Sequence, residues 1–229
     1  MLRECRRYFE MTGGAFDPTV QALWTLYSDH FTRPGADPRG PSKEALQAAL
    51  SLVGFGDVVF DENRIALGRH GLALTLNGIA QGFATDHVVD LLRSAGIAHS
   101  LVDMGESRAL GSRLDGSAWT VGIADPNEPL RVTETLRITD RAVATSGGYG
   151  FRFDPEGHFT HLFDPRTGLS PNRYASVTTI SPTATEADAL ATAFAILSRE
   201  EIEGVLRSLG RRQVHLISAS GEQTVLGAA

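Results

Sequence analysis

The segment WTVGIADPNEPLRVTETLRITDRAVATS, residues 119–146, indicates the fold class of the chain. It contains three short runs of strand-forming residues, at Trp119–Ile123, Leu136–Ile138 and Ala142–Thr145, without a helical period. Turn-forming residues, beginning with Asp125-Pro126-Asn127, separate the first two runs. This pattern predicts antiparallel strands joined in hairpins and meanders.

Further short strands are predicted on both sides of this segment. They lie at Val58–Phe60, Ile65–Leu67, Leu72–Leu76, Leu101–Val102, Phe159–Phe163, Ser176–Ile180, Gln213–Ile217 and Gln223–Leu226. Helices are predicted after the N-cap Ser42, from about Ile79 to Ala95, at Glu186–Leu197 and at Arg199–Leu209. The second of these helices is expected to end before Gly96 and to place Leu91 on its apolar face, and the last is expected to begin with the capping box Ser198-x-x-Glu201. Because strands and helices do not alternate steadily, we expect an α+β fold with helices packed on a largely antiparallel sheet.

Composition excludes several classes of protein. The 229 residues carry a net charge of −6 without a basic run, which argues against binding of nucleic acid. The single cysteine, Cys5, excludes disulfide scaffolds and cysteine-zinc modules, and we expect it to be a small apolar core residue. Arg3, Arg6 and Arg7 are interpreted as a solvated helix face. No window is apolar enough to span a membrane, and the first residues form no export signal.

Two glycine-bearing stretches are candidates for ligand contact. Residues 13–20, GGAFDPTV, contain adjacent glycines that permit a close approach of a ligand, although a tight turn before a helix explains them equally well. Residues 75–83, TLNGIAQGF, are predicted to run from a strand into a helix. The N–H groups at such a helix start attract anions, whereas ordinary strand-to-helix packing is the alternative.

Two further stretches carry residues suited to catalysis or metal binding. His161, in HLFDPRTG at residues 161–168, is a candidate general base, with a structural histidine beside an Asp-Pro turn as the alternative. Asp188 and Thr192, in EADALATA at residues 186–193, are spaced i, i+4 and therefore share one helix face. Their oxygens suit Mg²⁺ when phosphates and water complete the shell, although such pairs also form surface hydrogen bonds.

Taken together and in order, these stretches resemble the FAD:protein FMN transferases, the ApbE family. The matching motifs are GAFDPTV at 14–20, GIAQGFATD at 78–86, LVDMGE at 101–106, VATSGGY at 143–149, HLFDPRTG at 161–168 and EADALATA at 186–193. The resemblance implies a T-fold-like α+β core. It also implies that FAD and Mg²⁺ are used to attach FMN through a phosphoester to a threonine or serine of an acceptor flavoprotein, with release of AMP.

The resemblance also implies roles for individual residues. His161 matches the base that activates the acceptor hydroxyl, and Leu162 matches a position whose backbone touches FAD. Asp188 and Thr192 match side-chain ligands of magnesium, and Gly78 matches a residue that supplies a further ligand. The remaining cofactor-contacting positions are Gly14, Ala15, Phe16, Thr75 and Gln81.

This sequence departs from the family pattern at several positions. Thr75 stands where the family usually has aspartate, and Gln81 where it has lysine or glutamate, so two contacts to FAD are neutral here. Ala191 stands where some members have a second aspartate. The match to GAFD begins about 13 residues into the chain, so we expect a single flavin transferase domain, residues 1–229, lacking the family's N-terminal segment.

Two other functions fit the same motifs. With water in place of the acceptor hydroxyl, the chain would be an FAD pyrophosphatase that yields FMN and AMP. The neutral Thr75 and Gln81 also fit a non-catalytic flavin-binding maturation protein. The family resemblance further implies a periplasmic location.

Overall fold

Two units make up the chain in the computed structural model, which describes residues 1–128 and 130–228. The first unit contains Met1–Leu76 and Gly148–Asn172. The second contains Asn77–Gly147 and the chain from Arg173 onward.

The first unit is built from three helices and a small antiparallel ribbon. The helices are α1 (Leu2–Met11), α2 (Gln21–Phe31) and α3 (Lys43–Leu50), and the ribbon pairs β1 (Val58–Phe60) with β2 (Ile65–Leu67). Ser42 caps α3 as predicted, because its hydroxyl accepts a hydrogen bond from the Ala45 N–H. An aromatic cluster surrounds the buried Tyr27, whose ring centroid lies 5.1–5.9 Å from those of Phe153, Phe159 and Phe163.

Helix α1 confirms one prediction and corrects another. Cys5 is fully buried, as expected of a small apolar residue. Arg6, however, does not belong to a solvated face. Its guanidinium lies 4.6 Å from the centroid of the Phe55 ring and donates a hydrogen bond to the Val58 carbonyl at 2.7 Å. The long arginine side chain therefore covers the aromatic core of this unit.

The described residues of the second unit form three α-helices and eight strands. In chain order they are α4 (Ala80–Ser94), β3 (Ser100–Asp103), β4 (Ser107–Leu110), β5 (Trp119–Ala124), β6 (Val132–Ile138), β7 (Ala142–Ser146), β8 (Tyr174–Ser181), α5 (Ala184–Phe194), α6 (Arg199–Leu209), β9 (Gln213–Ser218) and β10 (Gln223–Gly227). Six of the strands form one sheet in the order β10-β9-β8-β7-β4-β3, and every pair of neighbours in it is antiparallel. Strands β5 and β6 form a separate antiparallel hairpin.

The alternation of side chains along β7 explains how the layers of this unit stack. Ala142 and Ala144 pack against alanines of α5 on one face of the sheet. Val143 points to the opposite face and packs against Ile123 and Leu136 of the β5–β6 hairpin. The predicted α+β fold, with helices on a largely antiparallel sheet, is confirmed.

Helix ends were predictable because capping is local. Ser198 and Glu201 form the expected capping box at the start of α6. Gly96, with φ +82°, follows α4 as predicted, and the Gly96 and Ile97 N–H groups donate to the Arg93 and Leu92 carbonyls, as in a Schellman motif.

Three details of the sequence-based prediction are wrong. Residues 159–163 form no regular strand. Thr160 makes an isolated antiparallel bridge with Arg152, while side chains take two main-chain N–H groups, Asp154 that of Phe159 and Ser170 that of Thr160. Residues 72–76 also form no strand, since the Leu72 N–H donates to the Arg69 carbonyl and the Thr75 N–H to the Pro18 carbonyl, and neither partner lies in a strand. Leu91 was placed on the apolar face of α4 but is 70% exposed.

Among residues 1–128 and 130–228, no helix has the length and apolar character needed to cross a membrane.

Candidate active site

Gly78 and Thr192 lie next to each other in the second unit. Gly78 precedes α4 and Thr192 lies on α5, and a Cβ atom at Gly78 would come within 2.9 Å of the Thr192 hydroxyl. Glycine therefore allows the backbone to lie directly against this side chain. The same hydroxyl lies 3.4 Å from the hydroxyl of Ser146, at the end of β7. The structure thus brings together two of the three predicted metal ligands.

Asp188, the third predicted ligand, lies one turn before Thr192 on α5 and is only 5% exposed. The Gly82 N–H of α4 donates a hydrogen bond to its Oδ2 at 3.0 Å. Burial raises the pKa of Asp188 to about 6, although this hydrogen bond opposes the shift. A carboxylate in this position would gain from a nearby cation.

Glu106 adds a second buried carboxyl group, to which the sequence analysis gave no role. It follows β3 and is only 7% exposed. Burial, together with the negative charge of Asp188, raises the pKa of Glu106 to about 8. Within the described part of the chain, its Oε2 atom is buried and has no hydrogen-bond partner. An unpartnered buried oxygen of this kind requires an explanation.

These features fit a magnesium ion. Hard oxygen donors are the ligands that Mg²⁺ prefers, and the carboxylate of Asp188 and the hydroxyl of Thr192 are such donors, with the adjacent Gly78 backbone as a further source of oxygen. A dication beside Asp188 and Glu106 would also offset the electrostatic cost of two buried carboxyl groups. Ala191 is fully buried among alanines that face the sheet, so an aspartate there would point into the core. Glu106 is a second buried carboxyl group whose pKa responds to the charge of Asp188.

Gln81 is exposed near the start of α4 in the same unit. A Cβ atom at Gly105 would lie 2.6 Å from its Nε2, so the side chain rests over the turn that precedes Glu106. Thr75 belongs to the first unit and is half-buried. The assignment of both residues to FAD contact stays a prediction.

His161 lies in the first unit, after the turn that Asp154 caps. Its Nδ1 atom is 3.2 Å from the Phe151 carbonyl. Because a carbonyl only accepts hydrogen bonds, Nδ1 is the protonated nitrogen and the neutral ring carries its lone pair on Nε2. Burial lowers the pKa of His161 below its usual value, so the ring is neutral at pH 7. Its Nε2 atom is therefore able to accept a proton, as a general base must.

The glycine turn at residues 13–16 also belongs to the first unit. Gly13 and Gly14 have φ values of +60° and +85°, which favour glycine. Ala15 and Phe16 are buried, and the Phe16 ring packs edge-on against Tyr8. Gly13 is exposed and Gly14 is half-buried, and the assignment of Gly14, Ala15 and Phe16 to flavin contact stays a prediction. Leu162, which follows His161 in the chain, is half-buried.

Three other residues could offer ligand atoms to a metal ion. The possible ligand atoms of Asp154, Glu156 and His158 lie within 4.8 Å of one another. Both oxygens of Asp154 already accept main-chain N–H groups, from His158 and Phe159. This group therefore acts as a turn cap.

Sequence reasoning missed Glu106 and also Asp86, although both end motifs that it had identified. Their polar character within otherwise apolar or glycine-rich motifs was the available signal. Their partners, Asp188 for Glu106 and Ala184 for Asp86, are more than 80 residues distant in the chain, so spacing could not reveal them.

Comparison with known proteins places these features in a family. The family model described as the ApbE family matches residues 1–217. The chain is 34% identical over 205 residues to an FAD:protein FMN transferase of Vibrio cholerae, covering 87% of this chain and 60% of that protein. It is 32% identical over 232 residues to one of Treponema pallidum, covering 90% of this chain and 61% of the relative.

Solved structures agree with the sequence comparison. The ApbE protein of Thermotoga maritima superimposes with a TM-score of 0.83 at 30% identity, covering 99% of this chain and 73% of the other. The flavin transferase ApbE of Vibrio cholerae gives a TM-score of 0.81, also at 30% identity, over 100% of this chain and 73% of the other. The chain belongs to the ApbE family. It spans about 60% of the length of the curated relatives that it matches.

Proposed function

We propose that this chain transfers FMN from FAD to a threonine or serine hydroxyl of an acceptor protein, with release of AMP. The observation that carries the proposal is the cluster formed by Gly78, Glu106, Asp188 and Thr192. Two buried carboxyl groups with raised pKa values lie there beside a glycine backbone and a hydroxyl. Curated relatives that bear the name FAD:protein FMN transferase support it.

Asp188 and Thr192 would hold Mg²⁺ through their side chains, and Gly78 through its backbone. When bound, the ion neutralises negative charge on the FAD diphosphate. The N–H groups at the start of α4 are donors available to phosphate oxygens. Burial raises the pKa of Glu106 to about 8, and a dication bound beside it would lower that pKa and favour its carboxylate form.

His161 would act as the general base. Its Nε2 accepts the proton of the acceptor hydroxyl while the hydroxyl oxygen forms a bond to the FMN phosphorus. The bond from that phosphorus to the bridging oxygen of the diphosphate breaks, and AMP leaves with the electron pair. Atoms and charge balance in this step without an oxidant or reductant.

The products separate this function from its two alternatives. The experiment incubates the chain with FAD, Mg²⁺ and a flavoprotein that has a threonine or serine attachment site. Flavin fluorescence of the acceptor in a denaturing gel and nucleotide chromatography are then measured. Transfer gives a fluorescent acceptor and AMP, pyrophosphatase activity gives free FMN and AMP, and a flavin-binding protein leaves FAD unchanged.

A matched pair of variants links any transfer to the cluster. Asp188→Asn keeps the shape of the side chain but removes its charge, so we expect loss of Mg²⁺-dependent turnover. Asp90→Asn makes the same chemical change at an exposed position of α4 and should behave as the parent chain. Equal turnover in both variants would exclude Asp188 from the site.

A further inference from the structure

The first turn of α5 is held by a side chain from another helix. Asp86 of α4 accepts hydrogen bonds from the Ala184 N–H at 2.8 Å and from the Thr185 N–H at 2.9 Å. It also accepts from the Thr185 hydroxyl. Arg108 of β4 donates a fourth hydrogen bond to this carboxylate and neutralises its charge.

These contacts satisfy donors that α5 cannot satisfy by itself. The first N–H groups of a helix have no partner within the helix, and the N-cap residue usually satisfies one of them. Thr183, the N-cap residue of α5, accepts from the Glu186 N–H. Asp86 accepts from the two preceding N–H groups, and its negative charge suits the positive end of the helix dipole.

Asp86 also acts on the face of α5 that carries the proposed metal ligands. Ala184, Asp188 and Thr192 are spaced i, i+4, i+8 and therefore share a face. Gly82, one turn before Asp86 on α4, donates to the Asp188 carboxylate. Helix α4 thus contacts α5 at two successive turns, which fixes both the rotation and the axial position of α5.

A fixed orientation of α5 is especially important for a magnesium site. Mg²⁺ requires ligand distances of about 2.0–2.1 Å in nearly octahedral geometry, so a small rotation of α5 would misplace both side-chain ligands. The carboxylate oxygens of Asp86 are committed to four hydrogen bonds within the protein, and its side chain is only 15% exposed. Asp86 is therefore suited to orient the ligands without binding the ion itself.

We propose that Asp86, balanced by Arg108, is a positioning residue for the metal ligands Asp188 and Thr192. This inference rests on the proposed function, because it takes these two residues to be the ligands. Partners beyond the ligands of a metal typically contribute about 10–100-fold to its affinity.

The test measures binding of Mn²⁺, used as a paramagnetic substitute for Mg²⁺, by electron paramagnetic resonance. The full chain and the variants Asp86→Asn, Asp90→Asn and Asp188→Asn are compared at a temperature where circular dichroism shows each to be folded. Asp90 is the control because it lies one turn after Asp86 on α4, is exposed and pairs with Arg93 at 2.9 Å. We expect Asp86→Asn to weaken Mn²⁺ binding by about 10-fold or more, and Asp90→Asn to leave it unchanged.

The outcomes separate the two proposals. If Asp188→Asn binds Mn²⁺ as tightly as the parent chain, the proposed metal site is wrong. If Asp188→Asn loses binding while Asp86→Asn retains the parent affinity, the site stands and the positioning role is refuted. A lower melting temperature of Asp86→Asn with unchanged affinity also refutes it, because the role would then be structural only.

A milder variant covers the case in which Asp86→Asn does not fold. Thr185→Val removes one hydroxyl donor to Asp86 and leaves both main-chain hydrogen bonds in place. We expect a smaller loss of Mn²⁺ affinity, of about 3-fold, which corresponds to one weak hydrogen bond. Parent-like affinity in this folded variant would overturn the proposal.

Discussion

The close approach of α4 and α5 makes Gly82→Ala a sensitive test of the structure. A Cβ atom at Gly82 would lie 2.3 Å from the Ala184 carbonyl oxygen and 2.8 Å from the Asp188 Cβ. Carbon atoms in contact are separated by about 3.5–4.0 Å, so the two helices would have to move apart by about 1 Å. The substitution also strains the hydrogen bond from the Gly82 N–H to Asp188.

The expected magnitude follows from three terms. Overpacking costs about 1–3 kcal/mol, and a weakened hydrogen bond to a buried carboxyl group costs about 1–3 kcal/mol. Alanine regains about 1 kcal/mol of helix propensity. The net loss in the free energy of unfolding is about 3 kcal/mol, which lowers the melting temperature by about 6–12 °C for a chain of this size.

Thermal and urea unfolding followed by circular dichroism measure this change, with Gly204→Ala as the control. A Cβ atom at Gly204, within α6, meets only the flexible end of Arg207 at 3.6 Å. That variant should gain about 0.5–1 kcal/mol of stability. A Gly82→Ala variant that melts at or above the parent temperature would refute the described contact between α4 and α5.

The remaining predictions concern catalysis, pH and the cofactor. His161→Asn should retain FAD binding, measured by fluorescence titration, and lose about 10²-fold or more in transfer rate; an unchanged rate removes His161 from the mechanism. The folded protein binds the protons of Glu106 and Asp188 more tightly than the unfolded chain, because both pKa values are raised. The metal-free protein is therefore stabilised at low pH, and this contribution is lost as the pH rises through about 6 for Asp188 and about 8 for Glu106. The melting temperature should therefore decline from pH 5 to pH 8. Glu106→Gln should reduce this decline, and Mg²⁺ should raise the melting temperature most at pH 8. An equal pH dependence in Glu106→Gln would contradict this assignment. Thr75→Asp should change FAD affinity measurably in the same titration, since hydrogen bonds to charged groups contribute about 1.5–3 kcal/mol against about 0.5–1.5 for neutral ones; no change would mean that Thr75 does not touch FAD.

Local signals in the sequence were sufficient for much of the fold. The capping box at Ser198 and Glu201 and the glycine after α4 involve residues within one or two turns, so their patterns transfer directly to structure. The strand prediction for residues 159–163 was wrong because Phe159 and Phe163 pack against the ring of Tyr27 and not against the face of a sheet. Strand propensity reflects burial on a sheet, and aromatic packing satisfied the same side chains in another way.

The same distinction between local sequence signals and tertiary packing applies to the candidate site. The i, i+4 spacing of Asp188 and Thr192 is a local property, and the helix that carries them was predicted, although its burial was not. Glu106 and Asp86 acquire their importance only when strands and helices distant in the chain pack together. Their buried environments and shared partners arise from tertiary structure, which a single sequence does not display.

Covalent flavinylation of an acceptor is the measurement that tests the central claim most directly. The chain is incubated with FAD, Mg²⁺ and an acceptor protein, and the intact acceptor mass and the released nucleotide are determined with and without a chelator. We predict an acceptor mass increased by FMN less one water, an equal amount of AMP, and loss of both with the chelator. Free FMN with an unmodified acceptor, or FAD that remains intact, would contradict the account.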